Sequence, residues 1–167
     1  MSKEEAKDLL RFLRPFGTEI TELVMWMRGF FWDLYPKANE LIYDNYNALA
    51  FGWSPTEKVG HTFCSIAVGR TGKNVHFGFY WGSELSDPER RLLGNGNQYR
   101  YLLIRDQKSF PKTYLKELIK EAWLNSLSKV KEPTQIVNGK TIVKSVSLSK
   151  RKKKVAGKKA ASPKKKK

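Results

Sequence analysis

Two alternating segments meet across a glycine turn near the middle of the chain, and they constrain the fold more than any other feature. Residues 61–70 set Phe63, Ser65 and Ala67 on one side and Cys64, Ile66 and Val68 on the other. Thr71-Gly72-Lys73-Asn74 then supplies a turn. Val75, Phe77, Phe79 and Trp81 alternate with His76, Gly78 and Tyr80 on the return. Period-two alternation on both sides of a turn is the signature of an antiparallel hairpin. Gly78 leaves space in it for another backbone or a ligand.

Helical patterns flank this hairpin. Ser2 with Glu5 is a capping-box pair, and Leu9, Leu10 and Leu13 share a face before Pro15 and Gly17 stop the helix. Thr18 is placed to cap a second helix over residues 19–35, with Ile20, Leu23, Val24, Met27, Phe31 and Leu34 as its stripe. Met25, Trp26, Phe30 and Trp32 widen that apolar surface, so the helix is covered on more than one side or lines a groove. After the hairpin, Asp87 as cap and Pro88 at the first helical position predict a short helix that ends at Gly94. Gly94-Asn95-Gly96-Asn97 is a tight turn with positive φ available, and residues 99–105 are a further strand. Pro111 opens a last helix to residue 128, with Leu115, Leu118, Ile119, Ala122 and Leu127 inward. Asn138-Gly139 suits the two-residue turn of a small hairpin over residues 135–143.

Strands that follow one another without long intervening helices predict an α+β fold: an antiparallel sheet with helices packed on one face. Three parts are expected: an N-terminal helix and turn over residues 1–17, the α+β domain over 18–149, and a basic, disordered tail over 150–167.

Residues 41–53, LIYDNYNALAFGW, interleave four aromatics with Asp44, Asn45 and Asn47. Neither period-two face is cleanly apolar, which leaves two readings: the wall of a cleft, or a bulged core strand whose Asp and Asn serve its own turns. On the first, Tyr43, Asp44, Tyr46, Asn47, Trp53, Tyr80, Trp81, Asn95 and Arg100 line one small-molecule pocket, aromatic with a few polar groups. Asp44 among tyrosines would have a raised pKa if buried, or stay ionised on turn amides. Gly94-Asn95-Gly96 with Arg100 would seat an anion on backbone amides, or serve only as a glycine turn.

No catalytic arrangement of Ser-His-Asp or Cys-His type follows from spacing. His61, His76 and Cys64 lack the spacing of a metal site, and no cofactor is expected. One cysteine excludes an intrachain disulfide and is consistent with a reducing compartment. No apolar run nears the roughly 20 residues of a membrane span, so a cytoplasmic protein is expected.

The motifs LIYDNYNALAFGWSPTE (residues 41–57), FGFYWGSELSDP (77–88), RLLGNGNQYRYLLI (91–104) and IVKSVS (142–147) resemble the YdhG-like family of bacterial domains over residues 19–149. The resemblance implies a compact, frataxin-like α+β domain of uncharacterised general function, one branch of which is linked to intracellular iron delivery. This chain departs from that branch. Glu4, Glu5, Asp8, Glu19 and Glu22 are scattered among basic residues rather than gathered in an acidic ridge, so iron delivery does not carry over.

Charge is the sharper functional signal. The chain carries +16, but residues 150–167 alone hold eleven Lys or Arg and no acid, leaving 21 basic and 16 acidic groups elsewhere. These are Lys150, Arg151, Lys152, Lys153, Lys154, Lys158, Lys159, Lys164, Lys165, Lys166 and Lys167. Such a segment lacks the apolar content to fold. It resembles the tails of linker histones and some bacterial nucleoid proteins, including one Ser162-Pro163-Lys164-Lys165 element. Its lysines would neutralise phosphates without reading sequence, which suggests association with the nucleoid. The competing expectations are a small-molecule or metal-handling protein with an accessory tail and, third, an enzyme. A membrane anchor is disfavoured, because no adjacent apolar helix or lipidation motif supplies insertion.

Overall fold

The computed structural model describes residues 3–70 and 74–152, with side chains from Asp8 onward. Three helices, α1 (Lys3–Leu13), α2 (Thr18–Leu34) and α3 (Lys112–Ser128), accompany six strands. The strands are β1 (Asn39–Asp44), β2 (Ala48–Ser54), β3 (Cys64–Gly69), β4 (Val75–Tyr80), β5 (Tyr99–Ile104) and β6 (Thr141–Val146). They form one sheet in the order β5-β4-β3-β2-β1-β6.

The sheet is mixed rather than antiparallel throughout: β6 pairs with β1 in parallel, and every other pairing is antiparallel. The hairpin expected over residues 135–143 is therefore absent. Gly139 does turn at φ +64°, but its N–H goes to the Lys37 carbonyl, and the chain runs on along β1. The helix expected from Asp87 to Gly94 is absent too. Asp87 lies at φ +40°, outside helical space, and its carboxylate accepts the N–H groups of Arg91 and Leu92 at 3.0 and 3.2 Å. Leu93 then exchanges backbone bonds with Tyr101, so the segment extends the sheet edge instead.

Residues 41–53 are neither a single strand nor one wall. They are β1, a turn and β2, with Asn45 N–H closing onto the Ala48 carbonyl at 3.0 Å. One face of the resulting sheet carries Ile42, Phe51, Ile66, Phe77 and Leu102 in one row. A parallel row holds Leu49, Val68, Val75 and Ile104. All are buried, against Leu23, Val24, Met27 and Phe31 of α2 and Leu115, Leu118, Ile119 and Ala122 of α3. Leu9, Phe12 and Leu13 of α1 belong to the same core, so the N-terminal helix is a structural part of the domain.

The other face has a different character. Its central rows are small, with Gly52, Ser65 and Gly78 aligned across β2, β3 and β4, and Ala50 and Ala67 beside them. Around these stand Tyr43, His76, Tyr80, Tyr99 and Tyr101, all half-buried. The ring contacts between helices and sheet lie on the first face: Phe31 stacks on Trp53 at 4.1 Å, and Phe30 meets Phe110, which meets Phe77. The tyrosine face instead packs its rings on each other.

The space beside Gly78 is filled from within. A Cβ there would fall 2.1 Å from the Tyr99 hydroxyl, so the ring lies across the glycine. Gly78→Ala is expected to lift Tyr99 off the sheet at a cost of about 1–3 kcal/mol, the range for overpacking. A lowered urea midpoint together with altered Tyr99 ring resonances in NMR checks this. An unchanged midpoint contradicts it.

Candidate nucleic-acid interface

The nine residues expected to line one cleft do not converge. Trp53 is fully buried in the helix-side core, stacked on Phe31, and its Nε1 has no partner among the described residues. Tyr46 and Asn47 form the exposed β1–β2 turn. Arg100 sits on edge strand β5, in the row of Phe79, Cys64 and Trp53, at the opposite end of the strands. Four strand spacings alone separate β1 from β5, about 19 Å. Arg100 also turns its Nε to the Gly96 carbonyl at 3.4 Å, so the glycine loop receives its charge through an oxygen rather than presenting amides to an anion. Asn95 is exposed in that loop, and Gly94 takes the positive φ expected of a glycine turn, +95°.

Two groupings emerge from the same list. The first surrounds Asp44. Its carboxylate is buried and pairs with the buried Arg70 guanidinium, while Lys150 Nζ reaches its other oxygen at 2.9 Å. Arg70 also donates to the Asn45 carbonyl at 3.1 and 3.2 Å. Ser147 N–H bonds the Asp44 carbonyl at 2.8 Å, and Arg151 N–H bonds that of Tyr46 at 2.9 Å. Asp44 is thus an ionic anchor, and what it anchors is the start of the lysine-rich segment.

Next to this anchor opens a cavity of about 670 Å³. Arg70, Arg105, Lys150 and Arg151 line it, together with Phe16, Ile20 and Leu23, and Glu19 is the one acid among the described lining residues. Gly17 stands at the N-cap of α2 with φ +84°, and no side chain caps the helix there; Thr18, expected as the cap, is its first residue. The free amides of that first turn add positive potential to the cations. Lys152 is exposed just beyond. Residues 153–167, which carry Lys153, Lys154, Lys158, Lys159 and Lys164 to Lys167, lie outside the described residues.

The second grouping is the tyrosine face, which carries both Tyr43 and Tyr80. His76 stacks on Tyr101 with centroids 4.2 Å apart and planes 2° apart. Tyr101 stacks on Tyr99 at 5.9 Å, and Tyr99 meets Tyr80 edge-on at 5.5 Å. Tyr80 also borders a small cavity of about 200 Å³ with Trp81, Val59 and Gln98, and Lys129 lies over the Trp81 ring at 4.5 Å. Sequence reasoning singled out Tyr43, Tyr80 and Trp81 but passed over His76, Tyr99 and Tyr101. The signal was present: Tyr99 and Tyr101 alternate along one strand as His76, Gly78 and Tyr80 do along the other.

Burial raises the phenol pKa values of Tyr43, Tyr80 and Tyr99 on this face. Tyr43 and Tyr80 are both shifted upward, chiefly by loss of water, and the Tyr43 hydroxyl has no partner among the described residues. Tyr99 is pushed up to about 12, first by burial, with Ser65 opposing and the neighbouring Tyr80 and Tyr101 adding to the rise. The folded state therefore favours the neutral phenol. That stability is intact below pH ~10, where the unfolded chain begins to ionise, and is lost as pH rises through about 12. Unfolding free energy measured from pH 9 to 11.5 should fall steadily, and Tyr99→Phe should flatten the fall. An unchanged slope in that variant would place the titration elsewhere.

His61 and Cys64 remain apart in role. His61 Nδ1 bonds the Thr56 hydroxyl at 2.8 Å, and Cys64 is a fully buried strand residue whose thiol pKa is raised by burial. Among the described residues, no three or more His, Cys, Asp or Glu gather as a metal site would need. No described helix is long and apolar enough to cross a membrane. Compared with known proteins, the chain shows no significant match to a family model, a curated protein or a solved structure.

Proposed function

We propose that this chain is a non-enzymatic, YdhG-like, frataxin-like domain that binds nucleic acid through phosphate contacts made by its lysine-rich C-terminal segment. The observation that carries this reading is the concentration of eleven cations and no acid in residues 150–167. Three features support it. The first residues of that segment are bound to the β1–β2 turn through Lys150 and Arg151. They join a cavity that already holds Arg70 and Arg105. The motifs that resemble the YdhG-like family lie in the folded part and leave the segment as an addition to it. Cationic side chains on a firm anchor release counterions from a phosphate backbone whatever its sequence. A cytoplasmic, nucleoid-associated protein follows from that chemistry.

The test is a truncation after Lys152. It removes eight lysines and keeps every contact of Lys150 and Arg151 described above. Affinity for a 20-base-pair duplex at 50 mM salt is expected to fall by roughly two orders of magnitude or more, and to be the same for unrelated sequences. Equal affinity of the two chains would move the contact to the folded surface.

A further inference from the structure

We propose that the cavity beside the Asp44 anchor is a binding site for a small amphipathic anion, a molecule with one charged head and an apolar body. This goes beyond the nucleic-acid reading and does not rest on it. The cavity, about 670 Å³, falls in the range of small-molecule sites, roughly 300–1,000 Å³. Its apolar lining is Phe16 of the turn between α1 and α2, Ile20 and Leu23 of α2, Val75 of β4 and Ile104 of β5. Val75 and Ile104 are partners in the sheet and, with Leu23, belong to the core, so this part of the site is preformed. Phe16 and Ile20 are half-buried beside them. A phosphodiester backbone makes no use of such a lining, whereas the apolar body of an organic anion does.

Charge decides the sign of the occupant. Arg70, Arg105, Lys150 and Arg151 border the cavity, and Glu19 does too. Asp44 pairs with both Arg70 and Lys150 and so cancels one of their two charges. Four cations against Asp44 and Glu19 leave a surplus of two. Arg70 is fixed, with its guanidinium over the Phe16 ring at 4.9 Å. Arg105 and Arg151 are exposed, and neither has an ion-pair partner among the described residues. They carry the surplus, and their planar guanidinium groups suit the head of an organic anion. The chain does not supply the missing acid from the segments that adjoin the cavity in sequence, because residues 71–73 and 152–167 contain lysines and no Asp or Glu.

The experiment titrates decanoate, with decanol as its neutral counterpart and acetate as a head without a body, into the full-length chain. The methyl resonances of Ile20, Leu23, Val75 and Ile104 are followed by NMR. Decanoate should shift them saturably and bind about tenfold more tightly than decanol, the worth of one charge-assisted hydrogen bond. Acetate should leave them in place at the same concentrations. Equal affinity of decanoate and either comparison compound overturns the proposal, as does a decanoate titration that leaves these methyls unmoved. Arg105→Gln with Arg151→Gln, both at exposed side chains, should bring decanoate down to the affinity of decanol. Undiminished binding in that double variant overturns the proposal as well. Replacing the eight lysines after Lys152 with glutamine separates this site from the nucleic-acid reading: duplex affinity should collapse while decanoate affinity stays the same. Loss of decanoate binding there would mean that the lysine-rich segment, not the cavity, holds the anion. Retained duplex binding there would sink the phosphate reading alone.

Discussion

Replacing Glu40 with alanine is expected to destabilise the fold by about 3–5 kcal/mol, the cost of breaking a buried ion pair from one side. For a domain of this size that is a fall in Tm on the order of 10 °C. Glu40 is fully buried on β1 and Arg28 nearly so on α2. The two meet in a two-pronged pair, Nε to Oε1 at 2.6 Å and Nη2 to Oε2 at 2.7 Å. The Thr141 hydroxyl of β6 donates to the same carboxylate at 3.0 Å. One side chain thus joins the helix layer to the strand at the point where the parallel pairing begins. Alanine removes the carboxylate that balances a buried guanidinium and also frees Thr141. Replacing both partners with apolar residues, Arg28→Met with Glu40→Leu, should recover much of the loss, because no buried charge remains. Urea denaturation of the single and double variants checks this. A single variant within about 1 kcal/mol of the parent would contradict it.

The second large effect is at Asp44. Asp44→Ala leaves the Arg70 guanidinium buried without a countercharge among the described residues, held by the Asn45 carbonyl and the Phe16 ring, and a loss of about 3 kcal/mol is expected. Lys150→Ala, by contrast, removes a partner whose side chain is 32% exposed, and should cost under about 1 kcal/mol. The readout specific to anchoring is amide exchange. Ser147 and Arg151 donate to the carbonyls of Asp44 and Tyr46, and their protection should drop in Asp44→Ala more than that of β3. Uniform loss across the sheet would mean that Asp44 stabilises the domain without holding the C-terminal segment in particular.

What could be read from the sequence was local. The stripe of Ile20, Leu23, Val24, Met27 and Phe31 and that of Leu115, Leu118, Ile119 and Ala122 specify α2 and α3 by spacing alone. The β3–β4 hairpin follows from alternation, and its register pairs Ala67 with His76. What was missed depends on partners far along the chain. Residues 141–146 pair with a strand about a hundred residues earlier, and nothing in Asn138-Gly139 distinguishes that course from a hairpin. Asp87 and Pro88 have the residue types of a helix start, but Tyr114 holds the Asp87 carboxylate and Tyr101 pairs with Leu93.

The same division runs through the candidate interface. Asp44 stood out as a carboxylate among tyrosines, but its partners Arg70 and Lys150 come from distant segments, so an anchor could not be told from a cleft residue. Tyr43 and Tyr80 share a face only once the order of strands is known. The lysine-rich segment was legible at once, because charge density is a property of composition.

The most direct measurement of the central claim is the salt dependence of duplex binding by the full-length protein. Affinity measured from 50 to 300 mM salt should fall along a log–log line with a slope near −7, as expected for roughly eight phosphates neutralised. A slope close to zero, or no binding at the lowest salt, would contradict nucleic-acid binding through the lysine-rich segment.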